Sequence, residues 1–212
     1  MLTKLKKTVQ LWLTAEARLM HKTGLTPNML STLGVILGVA SGVVYWAAGI
    51  FFSIPDFYLY RIYLFLAIIF LSASGLCDAL DGTLARLYGK TSILGGFLDS
   101  LLDRYVEASV YCGLILGGLS DSFWGLLALI GSLLTSYTRA RSEAADVPME
   151  TVGVIERAER LIIIGIATIL SLVWPETSAL RWGIILLALA TNLTVLQRVI
   201  YFYRKAGSSK TN

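Results

Sequence analysis

Six stretches of this chain are apolar over enough length to cross a bilayer, and that removes most folds from consideration. A spanning helix needs about 20 mostly apolar residues. Lipid offers no partner for backbone N–H and C=O groups, so a crossing segment must satisfy them internally. The stretches run from about Met29 to Phe51, Tyr60 to Leu87, Leu94 to Leu119, Phe123 to Glu143, Glu156 to just before Pro175, and Ala179 to Arg204. Thr26-Pro27-Asn28 opens the first as a helix-start cluster. Pro55-Asp56, Ser120-Asp121-Ser122, Asp146-Val147-Pro148 and Pro175 supply the breaks. The balance of residue types agrees: 15% are charged, against about 25% in a soluble domain. The chain is expected to be an all-α integral membrane protein. Its six transmembrane helices occupy one domain, residues 23–205, with no internal repeat and a polar tail over 206–212.

Ahead of the first span, residues 1–22 mix Lys4, Lys6, Lys7, Arg18 and Lys22 with Leu2, Leu5, Val9, Leu11, Leu13, Leu19 and Met20. That pattern predicts an amphipathic juxtamembrane helix at the membrane surface, with a solvated basic tail as the alternative. It lacks the central apolar block and small-residue site of a signal peptide. With six crossings the termini share a side with the loops after the second and fourth spans. That side carries Lys4, Lys6, Lys7, Arg18, Lys22, Arg86, Lys90, Arg104, Arg139, Arg141, Arg157, Arg160, Arg198, Arg204, Lys205 and Lys210, sixteen bases against Arg61 and Arg181 opposite. The positive-inside rule then makes both termini cytoplasmic.

Other residues carry less. Cys77 and Cys112 lie in apolar stretches, with no spacing that suggests a disulfide or zinc. His21 is the sole histidine, which excludes a mechanism needing a pair. Trp46, Trp124, Trp174 and Trp182 fall near far-side helix ends, as interfacial anchors do. Asn192 and Thr194 are polar positions in the last span suited to contacting another helix, and Asn28 either caps the first span or reaches a ligand.

The unusual chemistry lies in the second and third spans: Asp78, Asp81, Asp99 and Asp103, with Gly82, Ala85, Arg86 and Gly95. A carboxylate in a membrane helix costs about 2.5–3.5 kcal/mol even on the lenient insertion scale. Asp78 and Asp81 are three apart and Asp99 and Asp103 four apart, so each pair shares a helix face. A short connection makes the two helices antiparallel, and the small residues permit close approach. All four carboxylates then converge on one cleft, where a divalent cation relieves their repulsion. Hard oxygen ligands suit Mg²⁺, Mn²⁺ or Ca²⁺. From spacing alone, an ion relay in a transporter and a chance set of helix-end acids also stand.

In order, the string is Asp78, two residues, Asp81-Gly82, two residues, Ala85-Arg86, eight residues, Gly95, three residues, Asp99, three residues, Asp103. It resembles the signature of the CDP-alcohol phosphotransferase family at all eight fixed positions, and the six-helix pattern extends the resemblance over most of the chain. The resemblance implies attack by an acceptor hydroxyl on the lipid-side phosphorus of a CDP-linked lipid, with loss of CMP. It implies Mg²⁺ or Mn²⁺, two ions per site, held by Asp78, Asp81 and Asp99. Asp103 would act as general base, touching the second metal, or as a fourth ligand only. Gly82, Ala85, Arg86 and Gly95 would lie against the CDP-lipid, and a homodimer in the cell membrane is implied as well.

The acceptor is approached through arginines. The fourth span ends Ser136-Tyr137-Thr138-Arg139-Ala140-Arg141-Ser142-Glu143, the fifth opens Glu156-Arg157-Ala158-Glu159-Arg160, and the sixth holds Gln197-Arg198. Guanidinium forks match phosphate geometry, so this set favours an acceptor that itself carries phosphate. These stretches resemble those of phosphatidylinositol-phosphate synthases and their archaeal ether-lipid counterparts. By that resemblance Ser136, Arg139, Arg141, Arg157 or Arg160, and Arg198 bind the phosphate of inositol phosphate, and the CDP-lipid is CDP-diacylglycerol or CDP-archaeol. Alternatives are glycerol phosphate as acceptor, and positive-inside arginines paired with Glu143, Glu156 and Glu159. A cation transporter would require midplane acids and a repeat, and a prenyltransferase would require more helices and two separate acidic motifs.

Overall fold

The breaks in the sequence become helix boundaries in the computed structural model of the chain, which describes residues 13–20, 24–53, 57–149 and 152–208. Among these residues all regular structure is helical. Helix α1 covers 13–20. It is followed by α2 (Pro27–Ser53), α3 (Phe57–Leu87), α4 (Ile93–Leu116), α5 (Ser122–Glu143), α6 (Arg157–Val173) and α7 (Ala179–Ser208). A single 3₁₀ turn, Pro175–Thr177, precedes α7.

Local chemistry explains the ends. Pro27 occupies the first turn of α2, and the Thr26 hydroxyl accepts the Met29 amide at 3.3 Å. Asn28 therefore sits inside the helix and is not its cap. Ser92 caps α4 through the Gly95 amide at 2.9 Å. Helix α4 stops at Leu116, three residues before the expected Leu119, because Gly117-Gly118 follows and Gly118 takes φ +70°. Glu156 and Glu159 form a reciprocal capping box at the start of α6.

Among the described residues three segments, against the six expected, are long and apolar enough by length and composition to cross a membrane: Pro27–Ser53, Phe57–Leu87 and Pro175–Ala206. Helix α6 buries Arg160, Thr168 and Ser171 beside Ile164 and Ala167, while Ile162, Ile166 and Ile169 are exposed. Of the expected amphipathic segment 1–22, residues 1–12 and 21–22, His21 among them, lie outside the described residues, as do the Pro55-Asp56 turn and 209–212. The described part, α1, buries Ala17 against Leu30, Leu80 and Leu84, with Leu13 and Met20 packed alongside. Its apolar side thus serves the protein's own core.

The described residues divide into two compact units. The first comprises those up to Val44 together with Leu66–Val110. Small residues and hydroxyls knit it together, as in other membrane helix packings. Ser74 donates to the Gly34 carbonyl at 2.7 Å and Ser41 to that of Ala67 at 2.9 Å, both buried. At Gly42 an added Cβ would lie 2.4 Å from the Ser109 carbonyl oxygen, so α2 and α4 can meet there only through glycine.

The second unit comprises Tyr45–Phe65 and the described residues from Tyr111 onward. Its buried polar groups also pair across helices. Tyr45 meets Thr168 at 2.7 Å and Tyr111 meets Ser132 at 3.1 Å. Asn192 of α7 donates to the Leu127 carbonyl of α5 at 3.1 Å, the helix contact expected of it. Thr194 instead holds the loop that leads into α6.

Candidate functional site

In the first unit the helical spacing brings carboxylates together. Oxygens of Asp78 (α3), Asp99 and Asp103 (α4) lie within 4.8 Å of one another. Asp81 is 6% exposed, and Ser31 of α2 donates its hydroxyl to Oδ2. Asp78 and Asp99 remain its charged neighbours. Three carboxylates this close repel unless a cation sits among them, and an all-oxygen donor set matches a hard divalent ion. The residues present therefore fit the expected metal. Arg104 approaches Asp103 at 3.7 Å, too far for a strong bond, while also donating to the Ser100 carbonyl.

A cleft of about 200 Å³ opens beside the acids. Gly82, Ala85, Arg86 and Gly95 line it, together with Asp81, Asp99, Asn28 and Ser31. The Arg86 guanidinium lies over Gly82, where an added Cβ would sit 3.3 Å from Nη1, and it is propped by Thr83 at 3.4 Å. All four non-acidic motif residues thus contribute to one wall. Small residues leave room beside two cationic side chains, Arg86 and Lys90, an arrangement suited to an anionic ligand. Ser31 escaped the sequence reading because its partner lies fifty positions away. Glu107 escaped it too: it is 2% exposed and continues the α4 face one turn beyond Asp103.

In the second unit two of the expected arginines are driven inward. Arg160 and Arg198 are 2% and 4% exposed, and both converge on Thr135 of α5. Arg160 Nη1 donates to the Thr135 hydroxyl at 3.3 Å, and Arg198 Nη1 to the Thr135 carbonyl. Arg198 Nε donates to the Val152 carbonyl at 2.8 Å. Thr194, one turn earlier on α7, accepts the amides of Val154 and Ile155 at 3.2 Å each. Gly153, at φ +133°, crosses over Thr194, where any Cβ would collide with Cγ2 at 2.4 Å.

The remaining residues of that set are placed differently. Arg139 turns to Glu143 at 2.8 Å, an exposed pair of the kind worth little. Glu156 and Glu159 serve the cap of α6. The Ser136 hydroxyl points back to the Ser132 carbonyl at 3.4 Å. Arg157 is half-buried, and exposed Arg141 shares with Arg198 a pocket of about 290 Å³ that also contains Met149 and Phe202. Of the five arginines, Arg160 and Arg198 form a buried pair and Arg141 shares a pocket with Arg198. Arg139 is a charged neighbour of Arg198 while paired with Glu143, and Arg157 is half-buried.

Comparison with known proteins gives concordant results. The model of the CDP-alcohol phosphatidyltransferase family matches residues 24–196. An archaetidylinositol phosphate synthase of Pyrococcus horikoshii is 37% identical over 199 residues, 94% of this chain and 95% of that protein. A phosphatidylinositol phosphate synthase of Streptomyces avermitilis is 28% identical over 208 residues, 93% of this chain and 80% of that one. Among solved structures, Mycobacterium tuberculosis phosphatidylinositol phosphate synthase with CDP-DAG bound superposes with a TM-score of 0.74 at 31% identity, covering 90% of this chain and 93% of that one. The same enzyme in complex with manganese and citrate also gives 0.74 at 31% identity, covering 90% and 88%.

Proposed function

The chain belongs to the CDP-alcohol phosphatidyltransferase family, and from that premise we propose that it transfers a phosphatidyl-type group from a CDP-linked lipid to inositol phosphate, releasing CMP. The CDP-lipid is CDP-diacylglycerol or its ether-linked counterpart, in keeping with the relatives' names and with CDP-DAG in the M. tuberculosis enzyme. The observation that carries the acceptor assignment is the pair Arg160 and Arg198, both nearly fully buried and both anchored on Thr135. Two buried guanidinium groups held on one residue present adjacent planar donor forks, the geometry that a phosphate accepts. The same pair favours Arg160 over Arg157 as the α6 contributor.

Roles follow from position. Asp78, Asp99 and Asp103, with Asp81 held by Ser31, would hold Mg²⁺ or Mn²⁺, two ions in our reading. Bound metal supplies charge neutralisation on the pyrophosphate. Gly82, Ala85 and Gly95 leave room for the nucleotide, and Arg86 offsets its charge. Asp103 accepts the proton of the attacking hydroxyl when hydrogen-bonded to it. Arg160, Arg198 and Arg141 orient the acceptor phosphate, and Ser136 and Arg139 join them by rotating away from Ser132 and Glu143. The outward apolar face of α6 and the basic bias of one side support six crossings of the cell membrane, with both termini and the site cytoplasmic and residues 23–205 as the catalytic domain. We propose a homodimer, as the family resemblance implies.

The test is CMP release by purified protein with Mg²⁺ and either CDP-lipid, offering inositol phosphate, glycerol phosphate, inositol and serine separately. Release with inositol phosphate alone is expected. Release only with an unphosphorylated acceptor would refute the arginine assignment, and no release at all would point to ion transport. A second expectation concerns Ser31. Partners that orient metal ligands typically contribute 10–100-fold in metal affinity. Ser31→Ala should therefore weaken Mn²⁺ binding about 10-fold, measured by the loss of the free-ion paramagnetic signal, and Ser31→Thr should restore it. Unchanged binding in Ser31→Ala would remove Ser31 from the metal site.

A further inference from the structure

We propose that Thr135 is a positioning residue that fixes the spacing and direction of Arg160 and Arg198 on the acceptor's phosphate. The proposal rests on the acceptor-phosphate reading given above. Thr135 is 2% exposed and belongs to none of the motifs. Its hydroxyl hydrogen is spent on the Ser132 carbonyl at 2.7 Å. The oxygen's lone pairs remain for Arg160, whose guanidinium can only donate, and it accepts from Nη1 at 3.3 Å. The carbonyl of the same residue takes Nη1 of Arg198. One residue thus spaces two guanidinium groups that repel each other.

The far side of Arg198 is fixed independently. Its Nε is held on Val152, and the loop carrying Val152 is tied to α7 by Thr194, which is fully buried. Held at Nε and Nη1, Arg198 keeps Nη2 for a ligand. Free arginines would lose rotamer freedom on gripping a phosphate. Arginines already fixed by protein oxygens have met that cost during folding, so the acceptor binds a pre-formed fork. Removing the Thr135 hydroxyl takes this hydrogen bond from Arg160 and should act on acceptor binding more than on the transfer step.

The test compares Thr135→Val, which keeps the shape but loses the acceptor oxygen, with Thr135→Ser, which keeps the oxygen but loses a methyl. Kinetics with inositol phosphate and CDP-lipid would be combined with competition by inorganic phosphate. Thr135→Val should raise KM for inositol phosphate and the inhibition constant of phosphate together by about 10-fold. Its kcat and its KM for CDP-lipid should stay within about twofold, and Thr135→Ser should be close to wild type. A purely packing role predicts the reverse order, with the valine tolerated and the serine impaired, and that result would overturn the proposal. If the valine protein does not fold, Thr135→Cys replaces the oxygen with a weak acceptor of similar size and should show the same rise. Phosphate that fails to compete with acceptor in the wild-type protein would instead refute the pocket reading itself. Competition in the wild type with unchanged constants in the valine and cysteine variants would refute only the role of Thr135.

Discussion

Asp81→Asn is expected to abolish CMP release, with a loss of at least about 10³-fold in turnover, in a protein that remains folded. Metal on a pyrophosphate is worth several kcal/mol of transition-state stabilisation, and about 4 kcal/mol corresponds to that factor. Asparagine keeps the shape of the side chain and an oxygen able to accept from Ser31, so the local packing survives. It removes one negative charge from a residue that is 6% exposed and has Asp78 and Asp99 as charged neighbours. Without metal, the thermal midpoint of the variant should therefore equal or exceed that of the wild type. With Mg²⁺, the wild type should gain stability by mass action and the variant should gain less. Turnover retained within about 10-fold would show that Asp81 is no metal ligand, and would leave Asp78, Asp99 and Asp103 as the whole set.

How far the sequence could be read depended on the range of the interaction involved. Helix positions followed from apolar length and from Pro27, Asp121 and Pro175, and the expected boundaries agree with α2, α3, α5 and the start of α7 within a few residues. The family signature was legible because it is local: Asp78 to Asp103 span two helices joined by a short turn, helical spacing pairs Asp99 with Asp103, and the return of the chain brings Asp78 to them. The hydrogen bond to Asp81 was not legible, because it comes from Ser31, a residue of another helix. Thr135 was hidden for the same reason. Nothing in the run Leu133-Leu134-Thr135-Ser136 announces that both oxygens of Thr135 receive arginines from α6 and α7. Basic residues gave the sign of the charge but not its grouping. Arg139 and Arg198 look alike in sequence, yet one meets Glu143 at the surface and the other is 4% exposed.

That difference makes Arg198→Ala the most informative change outside the aspartates. The buried guanidinium should contribute a charge-assisted interaction with the acceptor phosphate worth about 1.5–3 kcal/mol. Its loss should raise KM for inositol phosphate by about 10–100-fold while KM for CDP-lipid changes by less than about threefold. The truncation also takes the guanidinium donor from the Val152 and Thr135 carbonyls, the latter keeping the Thr138 hydroxyl at 3.0 Å, so the thermal midpoint should fall. A general loosening would damage both substrates alike, and an equal rise in the two KM values would therefore argue against an acceptor-phosphate pocket. Arg198→Lys separates the contributions. Lysine keeps the charge but cannot reproduce the planar fork that reaches two carbonyls and a ligand at once. It should recover little of the acceptor affinity, whereas full recovery would mean that Arg198 acts as a point charge. Arg139→Ala should raise the acceptor KM by less than Arg198→Ala does, because Arg139 has to give up its exposed pair with Glu143 to reach the phosphate.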